Sequence, residues 1–390
     1  MNKKQVLIIG GGFAGVQAAI DLQKKKQFNV TLVSERDYLY LYPISIWIPT
    51  RKATFKETTV DLKEIQKAHG FNLLVDSVQE IHSSENKVIC KTNLLNYDYL
   101  IIAIGAEKVS HSGIEHTLSI CGKPEVSLAI REKMDYLVAK GSGKIAIGFG
   151  GNPKDVSAVR GGPAFELLFN IHYLLKQKGI RNNYDLIFFA PMQEPGSRMG
   201  KGAMAMMDKM FGSYNIKKQY GKKIKSFTER GVVLEDDTII EADFTMFIPG
   251  NAGHSVLRKS DLPLNEAGFV KIDDYGLVNS TKNVYAVGDV AALEGPAWRA
   301  KQGHTAEIMA RNAVFNILKS EEGVSQRKGY QKHLFIICIM DTGNGAAFVY
   351  RDDNRSIIIP LPVVGHWLKK AWGKYARLTK IGKFPRLPGL

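Results

Sequence analysis

The candidate nucleophiles of this chain are its three cysteines, Cys90, Cys121 and Cys338, which lie far apart in 390 residues. A thiolate can attack an electron-poor ring or carry sulfane sulfur, and it reacts faster where a cation or a helix end lowers its pKa. Cys338 lies in HLFIICIMDTGNGAAF, residues 333–348, between an apolar run and a glycine turn. It is either a redox thiol or a packed core side chain, because free cysteine is among the most buried residue types.

A glycine turn near the N-terminus has the spacing of a dinucleotide-binding motif. Residues 5–36 form an apolar strand, the turn GGGFAG, a helix and a second strand, which together make a βαβ unit. The glycines allow a tight turn, a close backbone approach to a pyrophosphate and close packing of helix on strand. The helix N-terminus faces the phosphate charge, and a carboxylate after the second strand can accept hydrogen bonds from ribose. The residues predicted to line this site are Gly10, Gly12, Phe13, Ala14, Gly15, Glu35 and Arg36.

A second βαβ unit begins at KIAIGFGG, residues 144–151, and departs from the same motif. Its third glycine is displaced by the polar loop NPKDVSAVRGGP. The next strand ends in Ala190 and Pro191, with no carboxylate where ribose would bind. These departures disfavour a nicotinamide nucleotide in the second unit, although that alternative stays open.

The C-terminal segment is strongly basic and explains part of the formal charge of +15. A helix predicted over 366–381 places aromatic and aliphatic side chains on one face and most of its lysines opposite. This composition is typical of a helix that lies in the headgroup layer of an anionic membrane. Two alternatives are that the aromatic face packs on the protein and that the basic end binds nucleic acid. The apolar face consists of Trp367, Leu368, Ala371, Trp372, Tyr375 and Leu378.

Composition narrows the remaining classes of protein. With 45% hydrophobic and 23% charged residues, the chain reads as globular. No run of about 18 apolar residues could span a membrane, and the N-terminus shows no signal-peptide pattern. An odd number of distant cysteines fits a reducing compartment, and no CxxC or HExxH provides metal ligands. We therefore expect a peripheral membrane protein on the cytoplasmic side, without a metal site and without a nucleic-acid partner.

Two further segments resemble known flavoproteins. YDYLIIAIGA at 97–106 and NVYAVGDVAAL at 283–293 are similar to the ATG-like strand and the GD motif of FAD proteins with two dinucleotide-binding domains. Together with GGPAFELL, EPGSRMG, RAKQGHTAE and CIMDTGNGAAF, they make nearly the whole chain resemble the sulfide:quinone oxidoreductases. This family lies near flavocytochrome c sulfide dehydrogenase and type II NADH dehydrogenase.

The expected fold class is α/β, with two Rossmann-like folds, the second inserted in the first, and a C-terminal membrane-associating unit. The predicted FAD-binding domain comprises residues 1–109 and 243–320. The second Rossmann-like domain is predicted over 110–242 and the C-terminal domain over 331–390.

The resemblance implies sulfur chemistry at a cysteine. In that family two cysteines flank the flavin ring, exchange sulfane sulfur and pass electrons to FAD, which reduces a quinone on the other side of the ring. Cys338 matches the later cysteine, but Arg160, Gly161 and Gly162 stand where the earlier one lies. Cys121 resembles a further cysteine found in many members. One thiol suffices for a flavin adduct or a persulfide, but an intramolecular disulfide requires Cys121 within bonding reach.

The resemblance also implies roles for other residues, each with a plainer alternative. Lys301 could add a positive charge beside the flavin or be a solvated surface lysine. Glu166 could be a buried proton donor for quinone or a glutamate favoured by a helix N-terminus. The positive end of a helix beginning at Gly303 would stabilise the reduced ring. The additional cofactor-binding residues are Pro43, Ala103, Gly105, Gly288, Asp289, Lys301, Gly303 and His304.

The sequence therefore predicts an FAD-dependent oxidoreductase that passes electrons from sulfide, or another small sulfur species, to a membrane quinone. One alternative is a type II NADH:quinone oxidoreductase, and another is a flavin-binding partner protein without catalysis. The electron donor, the product chain length, covalent attachment of FAD and the oligomeric state, including a homo-oligomer, are left open.

Overall fold

Five parallel strands form the first sheet of this computed structural model, which describes residues 3–387. Its central strands are runs of Val, Ile and Leu buried on both faces, as expected for a parallel sheet covered by helices. The last strand in sequence comes from beyond the second fold, so the second fold is inserted in the first, as predicted. The order across the sheet is Val284–Ala286, Tyr99–Ile102, Lys4–Ile9, Phe28–Ser34 and Asn72–Val75.

Four parallel strands form the second sheet, with helices on its faces. Several phenylalanines fill the space between sheet and helices, including a stacked pair, Phe165 and Phe188, with ring centroids 4.5 Å apart. The order across the sheet is Ile216–Tyr220, Tyr184–Ala190, Gly143–Phe149 and Phe244–Ile248.

The α-helices connect these strands and cover their faces. α1 and α7 pack together behind the first sheet, whereas α5 packs on the second. In chain order the helices are α1 (Phe13–Gln23), α2 (Tyr42–Ser45), α3 (Leu62–His69), α4 (Val126–Lys140), α5 (Gly162–Gln177), α6 (Lys201–Ser213), α7 (Gly303–Glu321) and α8 (Val364–Lys380).

The remaining strands form small sheets at the edges of the two folds. Apart from the C-terminal unit, residues 3–387 contain two antiparallel three-stranded sheets and three two-stranded pairs. The three-stranded sheets are Val78–His82, Lys87–Cys90 and Leu94–Asn96, and Ile224–Thr228, Gly231–Leu234 and Ile239–Glu241. The pairs are Tyr38–Tyr40 with Thr59–Asp61, Glu107–Lys108 with Asn251–Ala252, and Val270–Lys271 with Ala291–Ala292.

The C-terminal unit is an antiparallel sheet followed by α8. Its strands, Ile336–Asp341, Gly345–Arg351 and Ser356–Pro362, pair in sequence order. The helix begins two residues before the predicted start and ends one residue before the predicted end.

The inner face of α8 contains small residues and two lysines. Gly365, Gly373 and Ala376 let the helix approach closely, and Lys369 and Lys380 are buried among them. The prediction that most lysines lie on the outer side is therefore wrong for these two. Trp367 and Leu368 are 62% and 45% exposed, so these two side chains do not pack on the protein.

Candidate functional site

The N-terminal glycine turn leaves open space where a dinucleotide would bind. Gly10 has φ +111°, and a Cβ on it would stand 2.3 Å from the carbonyl oxygen of Ala103. A Cβ on Gly15 would stand 1.9 Å from the Gly10 oxygen, so helix and strand can approach only because glycine is there. A Cβ on Gly12, directly before α1, would meet nothing within 4 Å. The backbone at Gly12 is thus free to approach a ligand, which fits the FAD pyrophosphate.

Other predicted cofactor residues surround this turn. Glu35 follows the second strand with its side chain 67% exposed, and within residues 3–387 its carboxylate makes one ionic contact, to Arg36 at 3.9 Å. The Glu35 carboxylate is therefore free to accept hydrogen bonds from ribose. Gly105 has φ +76° with open space at its Cβ position, and Pro43 is exposed at the start of α2. Phe13 and Ala14 begin α1, with the Phe13 ring packed against Gly303.

Asp289 is held by an arginine from the second fold. Gly288 before it has φ +77°, and a Cβ there would stand 3.0 Å from the Ala306 side chain of α7. Arg160 Nη2 donates to Asp289 Oδ2 at 2.7 Å. Burial lowers the pKa of Arg160, but the Asp289 carboxylate and the adjacent Cys121 sulfur raise it by more, so the net shift is upward. Arg160 thus places a full positive charge beside Asp289 and Cys121.

Lys301 is buried, so the alternative of a solvated surface lysine is wrong. Its Nζ donates to the backbone oxygens of Asp289, at 2.9 Å, and Ala291, and it lies 3.7 Å from the centroid of the Phe269 ring. Desolvation lowers the pKa of Lys301 to about 8. Lys301 therefore fixes the turn that carries Asp289.

The helix α7 begins at Gly303, as predicted, and faces the C-terminal unit. Gln302, just before it, exchanges two long hydrogen bonds of 3.4 and 3.5 Å with the backbone of Ile337. His304 stacks on Phe335 with ring centroids 4.8 Å apart. Burial lowers the pKa of His304 to about 4, so this imidazole is neutral near pH 7. The N-terminus of α7 therefore adjoins the strand that carries Cys338.

Cys338 is only partly buried, unlike Cys90 and Cys121. Burial raises the pKa of the Cys338 thiol to about 12, and the nearby Glu166 carboxylate adds to the rise while Lys369 opposes it. The protein surroundings therefore favour the protonated form of this thiol, and the nearby cation Lys369 only partly opposes that effect. Burial also raises the pKa of Cys90, to about 11, with Asp76 adding to the rise.

Glu166 forms a buried ion pair that the sequence did not reveal. It lies in the first turns of α5 and is 7% exposed, so the prediction of a buried carboxyl is confirmed by its burial. Lys369 Nζ, from α8, donates to Glu166 Oε1, which also accepts from the Asp341 backbone N–H at 2.7 Å. Burial raises the pKa of Glu166 although Lys369 acts in the opposite direction. The regular spacing of Gly365, Lys369 and Gly373 was the available sign that Lys369 faces inward.

A polar cluster continues from this pair toward the surface. Asp341 accepts hydrogen bonds from Asn170 at 2.8 Å and His366 at 2.8 Å. Lys52 donates to Asn170 Oδ1 at 3.0 Å and to the Gly343 oxygen. Two lysines, two carboxylates and an imidazole thus meet below α8, next to Cys338.

The glycine turn of the second fold is filled by its own chain. A Cβ on Gly150 would stand 3.1 Å from the Phe247 ring, and one on Gly151 would stand 2.9 Å from Val159. The loop after them is held by Asp155, which accepts hydrogen bonds from Ser157. No open cradle comparable to that at Gly12 exists at these two glycines.

No metal site accompanies these groups within residues 3–387. Histidine, cysteine and carboxylate side chains form no cluster of three or more that could hold an ion. This part of the chain also contains no helix that is long and apolar enough to cross a membrane.

Comparisons with known proteins identify relatives of this arrangement. The profile of the family described as pyridine nucleotide-disulphide oxidoreductase matches residues 4–310. The sulfide-quinone reductase of Aquifex aeolicus is 27% identical over 400 residues, covering 95% of this chain and 90% of that protein. The X-ray structure of the Aquifex aeolicus sulfide:quinone oxidoreductase superposes with a TM-score of 0.86 at 25% identity, covering 97% of this chain and 92% of that one. A type II NADH:quinone oxidoreductase of Staphylococcus aureus is 21% identical and covers 90% of each chain.

Proposed function

The chain belongs to the pyridine nucleotide-disulphide oxidoreductase family, and we propose that within it the protein is a sulfide:quinone oxidoreductase that uses FAD. The observation that carries this proposal is the match to the Aquifex enzyme, which extends over 97% of the chain and so includes the unit with Cys338. The match to a type II NADH:quinone oxidoreductase is weaker in sequence. The displaced third glycine of the second fold and the missing carboxylate after Ala190 also disfavour a nicotinamide nucleotide.

FAD, when bound, accepts two electrons from the sulfur donor and passes them to quinone. The Gly12 turn and Glu35 would hold its pyrophosphate and ribose, and Asp289 with Gly303 would hold its flavin half. Arg160 and Lys301 add positive charge on this side, which favours an anionic donor such as HS⁻.

Cys338 is the sulfur carrier in this proposal. The thiol and HS⁻ together lose two electrons and two protons, an S–S bond forms, and Cys338 holds the product as a persulfide anion. The family's earlier cysteine is absent from this chain, where Arg160, Gly161 and Gly162 stand in its place. The persulfide is therefore released to an external nucleophile unless Cys121 resolves it. The buried carboxyl of Glu166 donates a proton to quinone. Lys369 Nζ then stabilises the carboxylate that remains, or returns a proton to it.

The test is anaerobic mixing of the FAD-loaded protein with sulfide while the visible flavin absorbance is followed. Wild-type flavin is expected to bleach with sulfide and regain colour with quinone. Cys338→Ser should lower the rate of bleaching by about 100-fold or more, as expected when a nucleophile is removed. Dithionite should still bleach the variant, and Cys90→Ser, at a buried cysteine, is the matched control. Bleaching by NADH in place of sulfide would overturn the proposal.

We also propose that α8 attaches the protein to an anionic membrane surface. Four exposed apolar side chains lie together where the helix begins: Val363, Val364, Trp367 and Leu368. Lys370 and Lys374 are exposed on the adjoining side of the same helix. Tryptophan and aliphatic groups bordered by lysines suit the headgroup layer, where each cation contributes on the order of 1 kcal/mol. A quinone with a long apolar tail can then enter from the bilayer.

Substitution on the outer face tests this attachment better than truncation, because removing α8 would also leave Glu166 without Lys369. Trp367→Ala with Leu368→Ala should release most of the protein from sedimented vesicles of anionic phospholipid. Lys370→Gln with Lys374→Gln should weaken binding to anionic vesicles more than to neutral ones. Tyr136→Ala, at a 61% exposed aromatic residue on α4, is the matched control. Unchanged sedimentation of both double variants would contradict the attachment through α8.

A further inference from the structure

An aspartate–histidine pair lies between the Glu166–Lys369 pair and the exposed start of α8. His366 Nδ1 is 2.8 Å from Asp341 Oδ2. The Asp341 side chain is fully buried, whereas the His366 side chain is 24% exposed. His366 therefore contacts a buried carboxylate at one ring nitrogen and is open to the surface elsewhere.

Two hydrogen bonds fix one carboxylate oxygen of Asp341, and the other oxygen contacts His366. Its Oδ1 accepts from Asn170 Nδ2 at 2.8 Å and from the Gly343 N–H at 2.9 Å. These donors, His366 and Lys369 hold the pKa of Asp341 below its usual value although burial acts to raise it. An ionised Asp341 makes Nδ1 of His366 the protonated nitrogen, so Nε2 is the nitrogen that can gain and lose a proton.

His366 also borders the exposed apolar side chains at the start of α8. Its ring lies 4.8 Å from the Trp47 ring and 6.4 Å from the Trp367 ring, measured between centroids. The charged groups facing this region are Asp341, Glu166, Lys369 and Lys52, the last through Asn170 and Gly343. The imidazole is thus the group of this cluster that meets both the charged interior and the apolar outer surface.

Glu166 and His366 lie on two sides of one residue. Glu166 Oε1 accepts from the backbone N–H of Asp341, and His366 contacts the side chain of the same aspartate. A quinone has two oxygens on opposite sides of its ring, and its reduction by two electrons forms two O–H bonds. Glu166 and His366, which both contact Asp341, could supply these two protons.

We propose that His366 Nε2 gives the second proton of quinone reduction, to the oxygen nearer the surface, while Glu166 protonates the inner oxygen. This inference rests on the proposed function. Each donor loses one proton as the quinone gains two electrons and becomes quinol, and His366 regains its proton from solvent because it is partly exposed. Asp341 is a positioning residue that keeps the imidazole in the required tautomer.

The experiment separates the two half-reactions of the FAD-loaded protein by rapid mixing. His366→Gln should leave the rate of flavin bleaching by sulfide unchanged and should slow reoxidation by a short-chain quinone by roughly 100-fold, the usual size of a general-acid contribution. Imidazole added to the variant should restore part of the rate.

Controls separate proton donation from a structural role. His116→Gln changes a partly exposed histidine whose ion-pair contact is Glu115 at 4.0 Å, and it should leave both half-reactions unchanged. Asp341→Asn should slow reoxidation less than His366→Gln, since it changes the orientation of the imidazole and keeps the proton donor. If Asp341→Asn does not fold, His366→Gln and its rescue by imidazole still decide the proposal. Unchanged reoxidation in His366→Gln, or slowing that added imidazole does not rescue, would overturn the proposal.

Failure of the proposed function gives a different result. If sulfide does not bleach the wild-type flavin, reduction by dithionite still allows reoxidation by quinone to be measured in wild type and His366→Gln. If His366→Gln then slows reoxidation by quinone, the role of His366 is supported, and the proposal that sulfide is the electron donor is rejected.

Discussion

The two Rossmann-like folds differ most in the link between the first strand and its helix. In the first fold only residues 10–12 separate Ile9 from Phe13. In the second, residues 150–161 separate Phe149 from Gly162. The short link leaves the space at Gly12 open, whereas the long link returns over its own glycines and places Val159 against Gly151.

The comparison shows that two folds with the same kind of sheet can differ in the glycine turn that follows the first strand. Helix and sheet packing need only apolar strands and close-packed glycines, and both folds retain these. A nucleotide needs unoccupied space and hydrogen-bond donors at the helix N-terminus. The second fold instead contributes Arg160, at the end of its long link, to Asp289 of the first. The second fold thus supports the turn that we propose holds the flavin half of FAD.

Gly12→Val should give the largest effect. A Cβ at this position meets no protein atom within 4 Å, so the variant should fold. Its side chain would occupy the space of the pyrophosphate, and we expect FAD affinity to fall by at least about 100-fold, or about 2.7 kcal/mol. Flavin content after purification and FAD titration measure this. Gly212→Ala, at an equally open position in α6, is the control. Normal flavin content in Gly12→Val would show that the turn does not hold the cofactor.

Arg160→Gln should have an intermediate effect. It removes a charged hydrogen bond of 2.7 Å between partly buried groups and leaves Asp289 with its charge uncompensated. We expect the free energy of unfolding to fall by about 1–3 kcal/mol, measured with denaturant. Lys144→Gln removes an exposed 2.7 Å ion pair with Glu241 and should cost less. Equal losses in the two variants would mean that the second fold does not support Asp289.

Pro191→Glu should have the smallest effect. It supplies a carboxylate after the second strand of the second fold, where a ribose would need one. We expect NADH to bleach the flavin no faster than in wild type, because Phe247 and Val159 still fill the space at the glycine turn. Bleaching by sulfide should be unchanged. NADH-dependent bleaching in this variant would show that the long link can leave the turn.

The sequence predicted the parts of the molecule that depend on short-range pattern. The strand–glycine–helix unit at residues 5–36 and the helix near 366–381 follow from periodicity and glycine spacing, and the start of α7 at Gly303 follows from the family resemblance. The structure contains all three. The fold class and FAD as cofactor were predicted from these units and the family resemblance. The roles of Cys338 and Cys121, and the domain boundaries, remain predictions.

Long-range pairs could not be read from the sequence. Arg160 and Asp289 are joined across two folds, and Glu166 and Lys369 are far apart in the chain. A helical projection assigns lysine to the solvent side, so the pattern alone does not distinguish Lys369 from the exposed lysines of α8. Its burial depends on a carboxylate in another element, which periodicity cannot supply. The raised pKa of Cys338 likewise arises from burial and from Glu166.

The lysine at the far end of α8 has a mechanical consequence. Lys380 Nζ reaches Gln17 of α1 at 2.6 Å and Glu307 of α7 at 2.7 Å, and its backbone oxygen contacts His69 at 2.9 Å. With Lys369 bound to Glu166, the helix is fastened at two points and cannot swing as a tether would. Under the proposed attachment to lipid, a helix held at both ends would set the tilt of the molecule and its depth in the headgroup layer. The path of a quinone from the bilayer to the flavin would then have a fixed length.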